Sequence, residues 1–513
     1  MSKKGLVLLS LILIASTILA ACGTPPTPVP PAAATNPPQP AQLSQPTQPP
    51  AQASQPTQPA QAASPTEATP AQGKFMMINQ ELQSTWVRNF NPFSPDARTV
   101  STTIMYEPLM VYNKATNQLV PWLADSYSWN GDNTILTFKL QPGVQWSDGQ
   151  PFTAKDAQFT FNLVKDNSAL ASQASGVMNQ YVDSITAPDD TTLEFKFKIA
   201  FTPAVYDLAL QLMVPEHIWK DVQDPVTFTN DNPVATGPFT EVTKFQEQVF
   251  VVEKNPHYWQ VGKPYFQGLI SPAYPGNDQA NLAIVNGDLD WMGNFIPDIE
   301  KTYVAKDPEH NHYYFTNGAA VLIYLNTKIR PFDNAEVRKA ISMGIDRKKV
   351  VNLSEFDYAP VLDDTGIGDQ FKSWKDPALS KATWTNYDPK AANDLLDKAG
   401  LKKGADGIRI GPDGKPMKYE LIAVSGWTDW ISACQVVSQN MKDLGIDVAV
   451  STPEYDSWYD SLSKKNYQWA IGWSSDGPTP YNFYRGQLSK VTAKKEGESA
   501  DENWNRFVDP EAD

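Results

Sequence analysis

Tyr419-Glu-Leu-Ile-Ala-Val424, then Ser-Gly-Trp427-Thr-Asp-Trp430 opening a periodic run to Leu444-Gly445, then Ile446-Asp-Val448-Ala-Val450, and last Tyr467-Gln-Trp469-Ala-Ile-Gly-Trp473-Ser-Ser-Asp476, form the stretch that decides the fold. The short apolar runs bounded by turn residues read as strands. Residues 427–444 carry apolar side chains at the spacing of one helix face, and Gly445 stops them. A short helix is expected over residues 455–462, before the strand at 467–473. Strand and helix taking turns means a mostly parallel sheet covered by helices. Ligands of such sheets settle beyond the carboxyl ends of the strands, and Trp473-Ser-Ser-Asp476 stands just past one.

The same alternation extends upstream. Asp333 and Glu336 are expected to cap a helix with Val337, Ala340, Ile341 and Ile345 inward, and Asp388-Pro389 opens another with Ala392, Leu395, Leu396 and Ala399 on one face, stopped by Gly400. Residues 134–140 and 192–198 alternate like half-buried strands, and Thr153 with Asp156 three residues on reads as a capping box for a helix running through Val164. The first half is thus strand-rich with interspersed helices.

The N-terminus has a basic start (Lys3, Lys4), an apolar run over residues 6–19 broken by Ser10, Ser16 and Thr17, and then Leu19-Ala20-Ala21-Cys22. The run is short for a membrane span and suited to a secretory signal. Leu-Ala-Ala-Cys resembles a bacterial lipobox, which implies cleavage before Cys22 and acylation of its thiol. Residues 24–73 hold one charged residue, Glu67, no aromatic, and a near-repeat at Ser44 and Ser54, so they read as a linker. An extended chain of that length reaches roughly 150 Å.

The 513 residues include 42 basic and 57 acidic side chains, a formal charge of −15, which argues against a nucleic-acid partner. Of two cysteines, Cys22 is the expected anchor, and Cys434 sits on the apolar helix face as a buried thiol, so no disulfide is expected. His310 and His312 have no third ligand at a suggestive spacing, so no metal site is expected.

Further motifs run in order: Tyr106-Glu-Pro-Leu109, Pro121-Trp-Leu-Ala124, Gly143-Val-Gln-Trp-Ser-Asp-Gly149, Val214-Pro-Glu-His217, Thr236-Gly-Pro-Phe239, Asn255-Pro-His-Tyr-Trp259, Arg338-Lys-Ala-Ile341, Ile345-Asp-Arg347 and Tyr387-Asp-Pro389. The ordered set resembles the family 5 extracellular solute-binding proteins, the oligopeptide- and dipeptide-binding lipoproteins of ABC importers, over about residues 75–485. The resemblance implies an α/β clamshell of the type II periplasmic binding protein kind, two lobes with an extra subdomain in the first. With the signal peptide expected at residues 1–21 and the acylated cysteine and linker at 22–73, the resemblance assigns 74–325 to lobe I and 326–513 to lobe II. It also implies further chain after residue 513 to complete the second lobe, so a C-terminally truncated sequence is expected.

In peptide binders of this family an aspartate after a Gly-Trp strand pairs with the ligand's α-amine, and Gly472-Trp473-Ser-Ser-Asp476 matches that position. Asp476 could instead cap the turn before Gly477-Pro478. The 15 tryptophans include Trp427, Trp430, Trp458, Trp469 and Trp473 in one short stretch, where indoles can stack on sugars or on peptide side chains or simply pack a core. Asp476, Trp473, Trp427 and Trp430 are therefore the expected ligand-binding residues. Short peptides are the expected cargo, with β-linked oligosaccharides of the cello or xylo type as the alternative and a metal chelate behind both. The expected partners are a permease and ATPase and, through the lipid, a membrane's outer face or the periplasmic space; a monomer without cofactor is expected. A secreted hydrolase and a tethered adhesin are the rival classes, and the sequence carries no His-Glu-x-x-His, Gly-x-Ser-x-Gly or phosphate-binding loop.

Overall fold

The computed structural model describes residues 73–511 apart from 95–96, 168, 317, 378–383, 496 and 501. The signal, Cys22 and the linker up to residue 72 lie outside the described residues. Among the described residues, no helix is long and apolar enough to cross a membrane.

Two sheets and one helix dominate the first half. A five-stranded sheet has the order Trp291–Met292, Phe75–Asn79, Gly268–Pro272, Val249–Lys254, Phe239–Gln246. The Phe75–Asn79 strand runs parallel to both of its neighbours, and the rest pair antiparallel. A separate antiparallel sheet joins Ala124–Trp129, Ile135–Leu140, Thr192–Phe197 and Val182–Asp189. Its alternation is the one read from sequence: Leu136, Phe138, Leu140, Leu193, Phe195 and Phe197 are buried. The helix Ala154–Asp166 covers it, with Phe161 edge-on to Phe195 at 4.7 Å. That helix begins with the expected capping box, since the Thr153 side chain accepts from a first-turn N–H and the Asp156 carboxylate accepts from the Thr153 N–H at 2.9 Å.

In the second half a four-stranded sheet has the order Val321–Leu325, Trp469–Trp473, Lys418–Ile422, Asp447–Ser451. The last three are mutually parallel and the first is antiparallel, so the sheet is mostly parallel as the alternation required. Val321–Leu325 belongs to this sheet, which places the change of sheet a few residues before the expected boundary at 325/326. Helices Ala335–Met343, Pro389–Lys398 and Thr428–Asp443 supply buried faces to one apolar core with Trp469 and Ile471. Asp388 caps as expected, accepting from the Ala391 N–H at 2.9 Å. At Ala335–Met343 the cap is Asn334 instead of Asp333: Asn334 has the extended backbone just outside the helix, so its side-chain oxygen reaches the Glu336 N–H at 2.9 Å. Cys434 is fully buried, and desolvation pushes its thiol up to about 12.

The last described segment is less inert than its acidic composition suggests. Trp504 is buried in the second core against Tyr324 and Trp473, and the Tyr467 hydroxyl lies 2.8 Å from the Asn505 side chain. The Trp504 indole, this contact and the bond from Arg506 to the Ser463 carbonyl together tie the run to the lobe.

Candidate functional site

Between the two main sheets lies a cavity of about 330 Å³. From the first lobe come Gln80, Glu81 and Gln83, just beyond the Phe75–Asn79 strand, Asn294 and Phe295 beyond Trp291–Met292, and Asn277 at the start of the helix Asn277–Asn286. From the second lobe come Trp427, Asp429 and Trp430 beyond Lys418–Ile422, Tyr455 beyond Asp447–Ser451, and Trp473 at the end of its strand. Every contributing strand is one member of a parallel pair and points its carboxyl end inward, so the backbone geometry that makes each sheet also aims its loops at this space.

The second-lobe wall is aromatic. Trp427 meets Trp430 edge-on at 4.9 Å, and Trp473 lies 6.1 Å from Trp427 and 5.7 Å from Trp430. Behind them the fully buried Trp458 stands 5.1 Å from Trp473 and donates its indole N–H to the Ile471 carbonyl at 3.1 Å. Trp458 and Trp469 are scaffold: both are fully buried, and neither lines the cavity.

The polar lining is held in place. Glu81 accepts from the Thr99 N–H at 3.0 Å, and Asp429 accepts from the Asn277 side chain at 3.1 Å. Burial raises both carboxyls above their ordinary range, with the Arg98 guanidinium opposing the effect at Glu81 and first-turn N–H groups opposing it at Asp429. Glu355, close enough to repel Asp429, is pushed up to about 7, chiefly by burial. These acids were not singled out from sequence. The available signal was position: Glu81 is two residues past a strand end and Asp429 sits between two tryptophans in a first helical turn.

The lobes touch beside the cavity. The Asn277 N–H donates to the Gly426 carbonyl at 3.0 Å, and its side chain also reaches Thr428 at 3.3 Å. Gly426 has φ +79°, and a Cβ there would stand 2.6 Å from the Pro275 carbonyl oxygen, so both its conformation and its surroundings require glycine.

Asp476 is elsewhere. It borders a crevice of about 20 Å³ with Ser475 and Phe483, outside the main cavity. Its Oδ2 lies 2.5 Å from the Lys114 ammonium, in the turn between the first-lobe strands Met110–Asn113 and Gln118–Pro121, and its Oδ1 accepts from the Gly477 N–H at 2.8 Å. The structure thus brings Trp427, Trp430 and Trp473 together and places Asp476 in a bond between lobes. The four histidines form no metal cluster with other ligands among the described residues, and His310 pairs with Asp307 at 3.0 Å.

Two α/β lobes closing an aromatic and polar cavity between the carboxyl ends of their strands define a ligand-capturing clamshell. The profile of the bacterial extracellular solute-binding proteins, family 5 (middle region), matches residues 118–495. The chain belongs to that family. It is similar to the nickel-binding periplasmic protein of Escherichia coli (strain K12), 27% identical over 395 residues that span 74% of this chain and 72% of the relative. It is also similar to the oligopeptide-binding protein OppA of Bacillus subtilis (strain 168), 23% identical over 74% of this chain and 71% of the relative. Among solved structures, a periplasmic oligopeptide-binding protein of an oligopeptide ABC transporter from Thermotoga maritima, bound to mannohexaose, superposes with a TM-score of 0.79 at 26% identity, covering 86% of this chain and 83% of that one.

Proposed function

We propose that the protein is the extracytoplasmic capture component of an ABC importer, closing its lobes on a short peptide and releasing it unaltered to a permease. The observation that carries this reading is the cavity of about 330 Å³ built by both lobes, with an indole wall on one side and hydrogen-bonding side chains on the other. A volume of about 300 to 1,000 Å³ suits a small ligand, and this one is of the size of a few residues. Trp427, Trp430 and Trp473 act as the wall against which the ligand packs, and Asp476, outside the cavity, acts through Lys114 in holding the lobes together. Cys22, after signal cleavage, carries the lipid that keeps the body at the membrane, and the linker gives it reach. Cys22→Ser is expected to release the protein into the medium or periplasm, read by fractionation.

A second reading, capture of β-linked oligosaccharides, is favoured by the indole wall, since flat aromatic faces suit pyranose rings, and by the likeness to the mannohexaose-bound structure. Mass spectrometry of ligand co-purified with the protein tests both. Bound peptides support the first reading, and bound sugars without peptides overturn it in favour of the second.

A further inference from the structure

A run of aromatic rings leads from the cavity to the surface. It begins at Phe295 on the first-lobe wall, with Phe356 at 6.2 Å and Tyr358 at 6.0 Å from it, then Phe315 at 5.1 Å from Tyr358 and Tyr313 at 5.2 Å from Phe315. Glu355, close enough to repel Asp429 on the second-lobe wall, directly precedes Phe356, so the run adjoins the cavity from both lobes. The outer rings are not core: Phe315 is 58% exposed, Phe356 43% and Tyr313 37%. They are nonetheless held in place. The Tyr358 hydroxyl accepts from the Ile299 N–H at 2.6 Å and donates to the Ile296 carbonyl at 3.2 Å, and the Tyr313 hydroxyl donates to the Glu300 carboxylate at 2.8 Å. Phe356 and Asp357 both have left-handed backbone, φ +49° and +60°. A bulky side chain rarely adopts that conformation, and an exposed ring gains little burial in return, so the strain points to a binding role.

We propose that these rings form a shelf for the end of a peptide too long for the cavity, packing its apolar side chains outside the enclosed part of the site. This rests on the peptide reading and extends it beyond the few residues that the cavity holds. In an extended peptide alternate side chains share one face about 7 Å apart. Successive rings stand 5.1 to 6.2 Å apart, so every second side chain of the peptide meets a ring. A sugar chain fits less well. Both tyrosine hydroxyls of the shelf are already hydrogen-bonded within the protein, which leaves few partners for sugar hydroxyls, and touching rings are tilted by 29° to 61° instead of lying flat in a row.

The test is competitive retention of equimolar libraries of random tripeptides and random heptapeptides by the purified protein, read by mass spectrometry, with melting curves to confirm that each variant is folded. The expected result is retention of heptapeptides at least tenfold above tripeptides, with Phe, Tyr and Leu enriched at alternate positions toward one end. Phe315→Ser and Phe356→Ser should each lower that advantage at least fivefold, whereas Trp427→Ala, inside the cavity, should weaken retention of both libraries. Equal retention of the two lengths, or an advantage that survives both shelf variants, overturns the shelf while the peptide reading stands. A surviving advantage together with a dimer that either variant turns into a monomer in sedimentation overturns it in favour of contact with a second copy of the chain. If neither library is retained while cello- or xylo-oligosaccharides raise the melting temperature, the peptide reading falls and the shelf with it.

Discussion

Glu107 is a carboxyl that the first lobe keeps dry. It is buried beneath the indole N–H groups of Trp122 at 2.7 Å and Trp259 at 3.1 Å, and burial raises it from 4.5 to about 7 in spite of those donors. Between those two values the folded protein keeps a proton that the unfolded chain has released. The group's contribution to stability is therefore fullest below pH 4.5 and is lost as pH rises through about 7, on the order of 3 kcal/mol in all. Glu355, raised to about 7, acts in the same direction. The midpoint of urea unfolding is expected to fall between pH 5 and pH 8, and Glu107→Gln, which keeps an acceptor for one of the two indoles and removes the titrating group, should flatten that slope. At the cavity wall, Trp427→Ala and Trp473→Ala are each expected to weaken ligand binding about 10- to 100-fold by calorimetry, a cost of about 1.5 to 3 kcal/mol. The tryptophans were legible in sequence because five of them crowd one short stretch, although crowding could not say which were scaffold; Trp458 and Trp469 proved to be. Glu81 was not legible, because an acid in a polar loop looks the same whether it faces water or a closed cleft. Asp476 stood out by its place just past a strand end and by resemblance, and its bond to Lys114 joins residues 362 positions apart, beyond any local pattern.

At the scale of elements, the second half could be read because each piece carries its own punctuation. Asp388-Pro389 starts a helix, Gly445 ends one, and the strands between are short apolar runs whose parallel order follows from the helices that connect them. The first half hid its strand order, since Phe75–Asn79 pairs with Gly268–Pro272 and Trp291–Met292 across most of a lobe, and spacing carries no trace of such partners. Thr153→Ala removes one half of a capping box and is expected to cost about 1 kcal/mol, seen as a lower urea midpoint with an unchanged slope. Gly426→Ala meets both a left-handed backbone and the Pro275 carbonyl of the opposing lobe. Its effect should exceed the roughly 1 to 2 kcal/mol of placing a side chain in the left-handed region alone, and ligand affinity should fall with it.

For the whole molecule, closure depends on a few contacts between bodies that each have their own core. The Lys114–Asp476 pair is one, and with the lysine side chain 45% exposed, solvent screening holds its worth to about 1 kcal/mol or less. Lys114→Met and Asp476→Asn are each expected to shift the ligand-free protein toward the open form by a similar small amount, and the double variant by no more than either, with the radius of gyration from X-ray scattering as the measure. An additive double variant would show that the two side chains do not meet in solution. The indole assembly carries a consequence of another kind. Trp427, Trp430, Trp458, Trp473 and Trp504 stand in a chain of ring contacts 4.9 to 6.2 Å apart. Chromophores at that separation share their excited states, so near-ultraviolet circular dichroism should show a coupled band whose amplitude depends on what covers the outermost ring. If ligand packs against this wall as proposed, that band is expected to change on saturation and so report occupancy without any attached dye.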